Sequence, residues 1–319
     1  MPDRPLIEQL DLAIDAILAG ASAAAHTDPE LAALARIARD LHDLPSEDFK
    51  TRLRRELERR ASMTPSASAP IREGFRTVTP YIAVAQGAEL IEFLKKTFGA
   101  EELFRSATPG SAGGFHAEVR IGGSMLMIGG GEALRGRERP GVFHAYVQDC
   151  DSAYHRAVDA GAVSIGELSD QPYGERSGSV RDAFGNIWYI ATRFASTVVP
   201  EGLGNILPYL HPHNAASFID FLKKAFGAEE LARYYDAERV AHAAVRIGNS
   251  VLEMGEPAGN WKPVPSSFYM YVNSADAAYQ RAITAGATSL QPPTDQPYGE
   301  RTAAVQDPFG YTWYPATPL

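Results

Sequence analysis

The chain has 319 residues, enough for two or three domains of ordinary size, and its 45% apolar content is that of a globular protein with sizeable cores. A formal net charge of -9 argues against nucleic acid or an anionic membrane as the main partner, because both need a positive field to gain from counterion release. The lone Cys150 closes no intramolecular disulfide, and no stretch approaches the roughly 20 uncharged apolar residues of a membrane span, so a cytoplasmic protein is expected.

In chain order, residues 1–60 read as a small helical segment. Leu6, Leu10, Ile14 and Ile17 fall at helical spacing, and Asp28-Pro29-Glu30 supplies a cap and an N1 proline for a second helix. Ser46-Glu47-Asp48 puts a capping hydroxyl and two acids ahead of a third. Residues 61–75, rich in Ser, Ala and Pro at their start, read as a linker.

Beyond the linker the chain repeats itself. FLKKTFGAEEL at 93 returns as FLKKAFGAEEL at 221, VRIGGS at 119 as VRIGNS at 245, and DAFGNIWYIAT at 182 as DPFGYTWYPAT at 307. The long offset marks domain duplication, with bodies at 76–195 and 204–318. Each body reads twice as strand, helix and three strands, so four βαβββ modules are expected.

Strand alternation picks out candidate site residues. In FHAEVRIG and VAHAAVRIG the apolar positions alternate with His116, Glu118 and Arg120, and with His242 and Arg246. On the next module's first strand His144 shares a face with Tyr146, as Tyr269 does with Tyr271. Tyr189 and Tyr314 lie on the last strands, and the set suggests an aromatic, sparsely charged concavity for a flat or amphipathic organic ligand. The heptad DQPYGER occurs at 170–176 and again at 295–301. It reads as a rim turn shaped by Pro and Gly, with Tyr173 and Tyr298 packed or facing the mouth and each Glu-Arg pair joined on the surface.

The paired modules, PYIAV or PYLHP opening the first, FGAEEL after its helix, HA-x-x-R-I-G on a strand, and YGER followed by D-x-F-G-x-x-W resemble the vicinal oxygen chelate superfamily. The nearest likeness is to its PhnB-like branch of glyoxalase/bleomycin-resistance proteins. The resemblance implies an α+β fold of two tandem domains. Each would be an incomplete eight-stranded barrel around a cup, built from two βαβββ modules. In catalytic members four residues, from the first and last strands of each module, hold a divalent metal that acts on vicinal oxygens. Those places fall at Thr79, Met127, Val142 and Tyr189 in one body and at Leu207, Glu253, Ser267 and Tyr314 in the other. A register slip of two brings in His144 and His211. Neither set supplies a full complement of hard-metal ligands.

The expectation is therefore a small organic molecule bound in one or both cups without a catalytic metal or other cofactor. Body one would contribute His116, His144 and Tyr189, and body two His211, His242, Glu253, Tyr269 and Tyr314. The alternatives are a Zn-, Ni-, Fe- or Mn-dependent lyase, isomerase or dioxygenase using Glu253 and His211, and an interaction protein acting through its helical head. Single-body relatives pair as dimers, so the resemblance implies that the duplication supplies this pairing within a monomer, with a homodimer as the alternative.

Overall fold

The computed structural model describes residues 71–108, 110–194, 204–259 and 262–319. Every described residue belongs to one compact unit, Ala67–Leu319. The helical segment expected over 1–60, and the linker up to residue 70, lie outside the described residues.

Four βαβββ modules follow one another. Module one is β1 (Val78–Val84), α1 (Gly87–Phe98), β2 (Glu101–Ala107), β3 (Phe115–Ile121) and β4 (Ser124–Gly130). Module two is β5 (Val142–Tyr146), α2 (Cys150–Asp159), β6 (Val163–Gln171), β7 (Glu175–Arg181) and β8 (Ile187–Arg193). Module three is β9 (Ile206–Leu210), α3 (Ala215–Phe226), β10 (Glu229–Asp236), β11 (Arg239–Ile247) and β12 (Ser250–Met254). Module four is β13 (Ser267–Tyr271), α4 (Ala275–Thr284), β14 (Thr288–Gln296), β15 (Glu300–Gln306) and β16 (Thr312–Pro318).

Side-chain caps start three of the helices and glycines end two of them. Asp149, Asn214 and Ser274 accept from the backbone N–H groups of Ser152, Ser217 and Ala277 at the starts of α2, α3 and α4. Gly99 and Gly227, in the repeated FGAEEL, close α1 and α3 at φ 66° and 69°. In every module the first strand runs parallel to the last, for example Tyr81 beside Met127 and His144 beside Tyr189. The middle strands fill in as hairpins.

Two eight-stranded sheets result, as the resemblance implies, but each draws one module from each body. Sheet I runs β14, β15, β16, β13, β1, β4, β3, β2, and sheet II runs β10, β11, β12, β9, β5, β8, β7, β6. Antiparallel joins make the crossings: Thr79 faces Tyr269 between β1 and β13, and His144 faces Leu207 between β5 and β9. The serine of the repeated VRIG-x-S motif ties the two sheets to each other, Ser250 of β12 in sheet II to β1 of sheet I and Ser124 of β4 in sheet I to β9 of sheet II. Ser250 Oγ accepts from Val78 N at 2.8 Å, and Ser124 Oγ accepts from Ile206 N at 3.0 Å.

Core packing explains this exchange. In the first body, Leu90, Ile91 and Leu94 of α1 and Ala153 and Ala157 of α2 are buried together with Ile82, Leu126, Phe143 and Trp188 from strands of both modules. Arg156 Nε donates to Thr97 O across the two helices, and Arg281 Nε to Ala225 O in the second body, both at 3.1 Å. Each body thus spends the inner faces of its strands on its own helical core. The opposite strand faces carry Tyr81 and Met127, or His144 and Tyr189. Each such face is completed into a cup by a module of the other body.

Candidate functional site

Modules one and four form cup I, and modules two and three form cup II. The assignment of cup residues body by body is corrected accordingly. His144, Tyr189, His211, His242 and Glu253 gather in cup II, whereas His116, Tyr269 and Tyr314 lie in cup I.

Cup II contains a cavity of about 290 Å³ lined by residues that include His144, Tyr173, Glu175, Tyr189, Tyr209, His211 and Arg239. At its floor His144 stands on β5 between two acids from different bodies. Its Nδ1 is 2.9 Å from Glu253 Oε2 on β12, and its Nε2 is 3.3 Å from Glu175 Oε1 at the start of β7. The first is a well-directed hydrogen bond. The second is a charge contact off the hydrogen-bond direction, which leaves both buried atoms without an aligned partner. Burial alone would lower the His144 pKa, but the carboxylates of Glu175 and Glu253 outweigh it and raise the value to about 9. His144 is therefore an imidazolium at neutral pH. For Glu253, burial pushes the pKa up, and the His144 hydrogen bond and charge more than reverse this, holding it below the usual carboxylate range.

The imidazolium ring stacks on Tyr146 at 4.2 Å, and the Arg193 guanidinium lies 4.4 Å from the centre of the same tyrosine ring. A second polar pair forms the cavity wall. His211 Nδ1 donates to the Gly255 carbonyl at 2.9 Å, which fixes the tautomer and leaves Nε2 to accept from the Tyr189 hydroxyl at 2.9 Å. Burial holds the His211 pKa below its ordinary value, with the Gly255 carbonyl opposing, so this histidine is neutral where His144 is charged. Tyr209 packs its ring 5.1 Å from Tyr189 and brings its hydroxyl to 3.5 Å from His242 Nδ1. Burial raises the pKa of both phenols, so they remain protonated.

Cup I has the same frame with different side chains. Tyr269 occupies the place of His144 and donates a short hydrogen bond to Glu300, the counterpart of Glu175. Met127 stands where cup II has Glu253. Tyr81 packs against both His116 and Tyr314, at ring separations of 5.9 and 5.6 Å.

Sequence reasoning placed His144 on the cup face but missed Glu175, Glu300, Tyr209 and Tyr81. The expected Glu-Arg pairing within DQPYGER is not what forms. Arg176 turns outward and takes Asp151 with Nε and Nη2, at 2.7 and 2.8 Å, and Asp170 with Nη1 at 3.0 Å. Arg301 does the same with Asp276 and Asp295. Adjacent strand residues face opposite ways, so Glu175 and Glu300 point into the cups. That alternation was the available signal. Tyr173 and Tyr298 are exposed at the turns, with Tyr173 on the cavity rim.

The titratable side chains of the floor are engaged with one another and with the backbone. Both His144 nitrogens face carboxylates, and both His211 nitrogens are engaged by Gly255 and Tyr189. Glu253 and His211, the pair that the metal-dependent alternative would use, serve different partners. Among the described residues no group of three or more His, Cys, Asp or Glu side chains is arranged to hold a metal ion.

The model of the Glyoxalase/Bleomycin resistance protein/Dioxygenase superfamily matches residues 76–190 and 212–314. Two uncharacterised proteins, from Mycobacterium bovis and Mycobacterium tuberculosis, are each 36% identical to the chain over 131 residues. The match covers 36% of this chain and 86% and 77% of theirs. Among solved structures, glyoxalase I from Zea mays superposes with a TM-score of 0.60 at 14% identity, covering 76% of this chain and 92% of that one. At that identity the likeness concerns the fold.

Proposed function

Since the chain belongs to the glyoxalase/bleomycin resistance protein/dioxygenase superfamily, we propose that it binds a small organic molecule in cup II without a catalytic metal. The observation that carries this reading is the cavity itself. At about 290 Å³ it stands at the small end of the range of roughly 300–1,000 Å³ typical of ligand pockets. Three tyrosines, Tyr173, Tyr189 and Tyr209, give it aromatic walls suited to a flat ring. Its polar groups are held by partners: His144 by the acids, His211 by Gly255, and Arg239 Nη1 by the Glu256 carbonyl at 3.2 Å. Such a floor orients a ligand by hydrogen bonds without having to reorganise.

The test is a diverse metabolite and antibiotic panel screened by thermal shift and then by calorimetry. A genuine ligand at 100 Kd stabilises the fold by about 2.7 kcal/mol. Ser177→Trp, which fills the cavity, is expected to abolish that binding, and Tyr209→Ala to weaken it. No saturable ligand in the panel, or binding indifferent to Ser177→Trp, would defeat the reading. Elemental analysis of chelator-free protein is expected to give no stoichiometric metal. Stoichiometric Zn, Ni, Fe or Mn that is lost in Glu253→Ala would reinstate the lyase, isomerase or dioxygenase alternative.

A further inference from the structure

Cup I is filled from within the chain, by the segment that enters β1. Phe75 N donates to Arg72 O at 3.0 Å, closing a tight turn with Gly74 at φ 82°, the sign that the third position of a type II turn requires. The turn sets the Arg72 guanidinium 4.8 Å from the centre of the Phe75 ring. Phe75 is buried against Met125, Met127 and Tyr271, with Ile71, Tyr81 and Tyr269 packed around them. These are the cup-facing residues of β1, β4 and β13, because their neighbours Ile82, Leu126 and Met270 belong to the helical cores. The segment therefore sits where a ligand of cup I would sit.

Arg72 completes the picture with a bidentate contact to Glu118 on β3, Nη1 to Oε1 at 2.6 Å and Nη2 to Oε2 at 3.0 Å. The Glu118 side chain is 6% exposed and that of Arg72 47%. The acid belongs to the cup, and the guanidinium enters from its mouth. His116 Nε2, 3.7 Å from Glu118 Oε1, flanks the same carboxylate. The duplication supplies a comparison. In cup II the counterpart of Glu118 is Ala244, and the guanidinium beside the corresponding tyrosine is Arg193 of β8 over Tyr146. In cup I that strand position is Pro318, and the cation comes instead from outside the modules.

We propose that cup I is a binding site for a guanidinium group carried on an apolar or aromatic body, occupied in cis by Arg72 and Phe75 and anchored by Glu118. Two parallel N–H···O contacts fit the planar fork of a guanidinium and not the point charge of an ammonium. A buried carboxylate left without its cation is costly, which keeps the site filled. The tether gives the segment a high effective concentration, so a free guanidine enters only when the segment's own guanidinium is gone.

The experiment is calorimetric titration of the full chain with ethylguanidinium. Arg72→Ala is expected to take up, saturably, one equivalent per chain more than the wild type and the Arg72→Ala/Glu118→Ala double variant. Alanine at 118 reproduces what cup II carries at Ala244. No saturable uptake by Arg72→Ala, or equal uptake by all three proteins, overturns the proposal. Uptake in cup II would be common to all three, so the outcome is independent of the function proposed for that cup. Should Arg72→Ala fail to fold, hydrogen exchange on Glu118→Ala decides. The Phe75 amide is expected to exchange roughly tenfold faster while the β1 and β4 amides keep their protection. Unchanged protection of Phe75 would overturn the proposal.

Discussion

His144 is a buried histidine whose charge is stabilised, and this sets the sign of its contribution to stability. Its pKa of about 9 in the folded protein lies above the ordinary value near 6.5, because Glu175 and Glu253 overcome its burial. A raised pKa means that the stabilisation is fully present below about pH 6.5 and is lost as pH rises through 9, amounting to on the order of 3 kcal/mol. Glu253, with its pKa depressed, works in the other direction: its contribution is present above the unfolded carboxylate pKa and is lost as pH falls through the folded one. The urea midpoint is therefore expected to fall between pH 6.5 and 9.5 in the wild type. In His144→Gln this fall should largely disappear, and an equal fall in both proteins would contradict the assignment. Replacing Glu253 by Gln should lower the His144 pKa by about one unit or more, read from the imidazole proton shifts by NMR. Alternation along one strand was enough to put His144 on the cup face. Its pairing with the acids was hidden, because Glu175 stood beside an arginine that looked like its natural partner and Glu253, though a candidate in its own right, lay in a different body.

At the scale of the element, the repeated motifs separate into architecture and site. The D-x-F-G-x-x-W turn is architecture. Asp182 accepts from the backbone of Phe184 and Asn186, from the Asn186 side chain and from Trp188 Nε1, all at 2.8–2.9 Å. Asp307 repeats the pattern with Phe309, Tyr311 and Trp313, and burial raises its pKa to about 6. Asp182→Ala leaves the indole N–H and two buried donors unsatisfied and is expected to cost about 2–4 kcal/mol in chemical denaturation. Arg176→Ala, one hairpin away, removes only partly exposed ion pairs to Asp151 and Asp170 and should cost about 1 kcal/mol or less. The reverse order of these two losses would mean that the arginine, not the aspartate, fixes the rim. Both motifs were equally visible in the sequence. Repetition alone did not distinguish a turn satisfied by its own backbone from a strand start that sends one residue inward.

For the whole molecule, the duplication was legible and the pairing of modules was not. Each of the four modules offers a first strand with a free edge for an antiparallel partner, and nothing local tells β1 to join β13, or β5 to join β9. The choice follows from the helices. Once α1 packs on α2 and α3 on α4, the cup faces of each body point away from its own core and find partners only in the other body. Two sheets, the Ser124 and Ser250 clasps and the His144 to Glu253 ion pair therefore cross between bodies. Cutting the chain between 194 and 204, at an engineered protease site, is accordingly expected to leave the bodies associated. The two pieces should co-elute in size-exclusion chromatography at micromolar concentration and unfold in one transition. Two cups closed within separate bodies would instead give pieces that part on cutting and melt independently. The His144→Gln variant, cut in the same way, should release its pieces at lower urea than the cut wild type, because the charge that this variant removes sits on the seam.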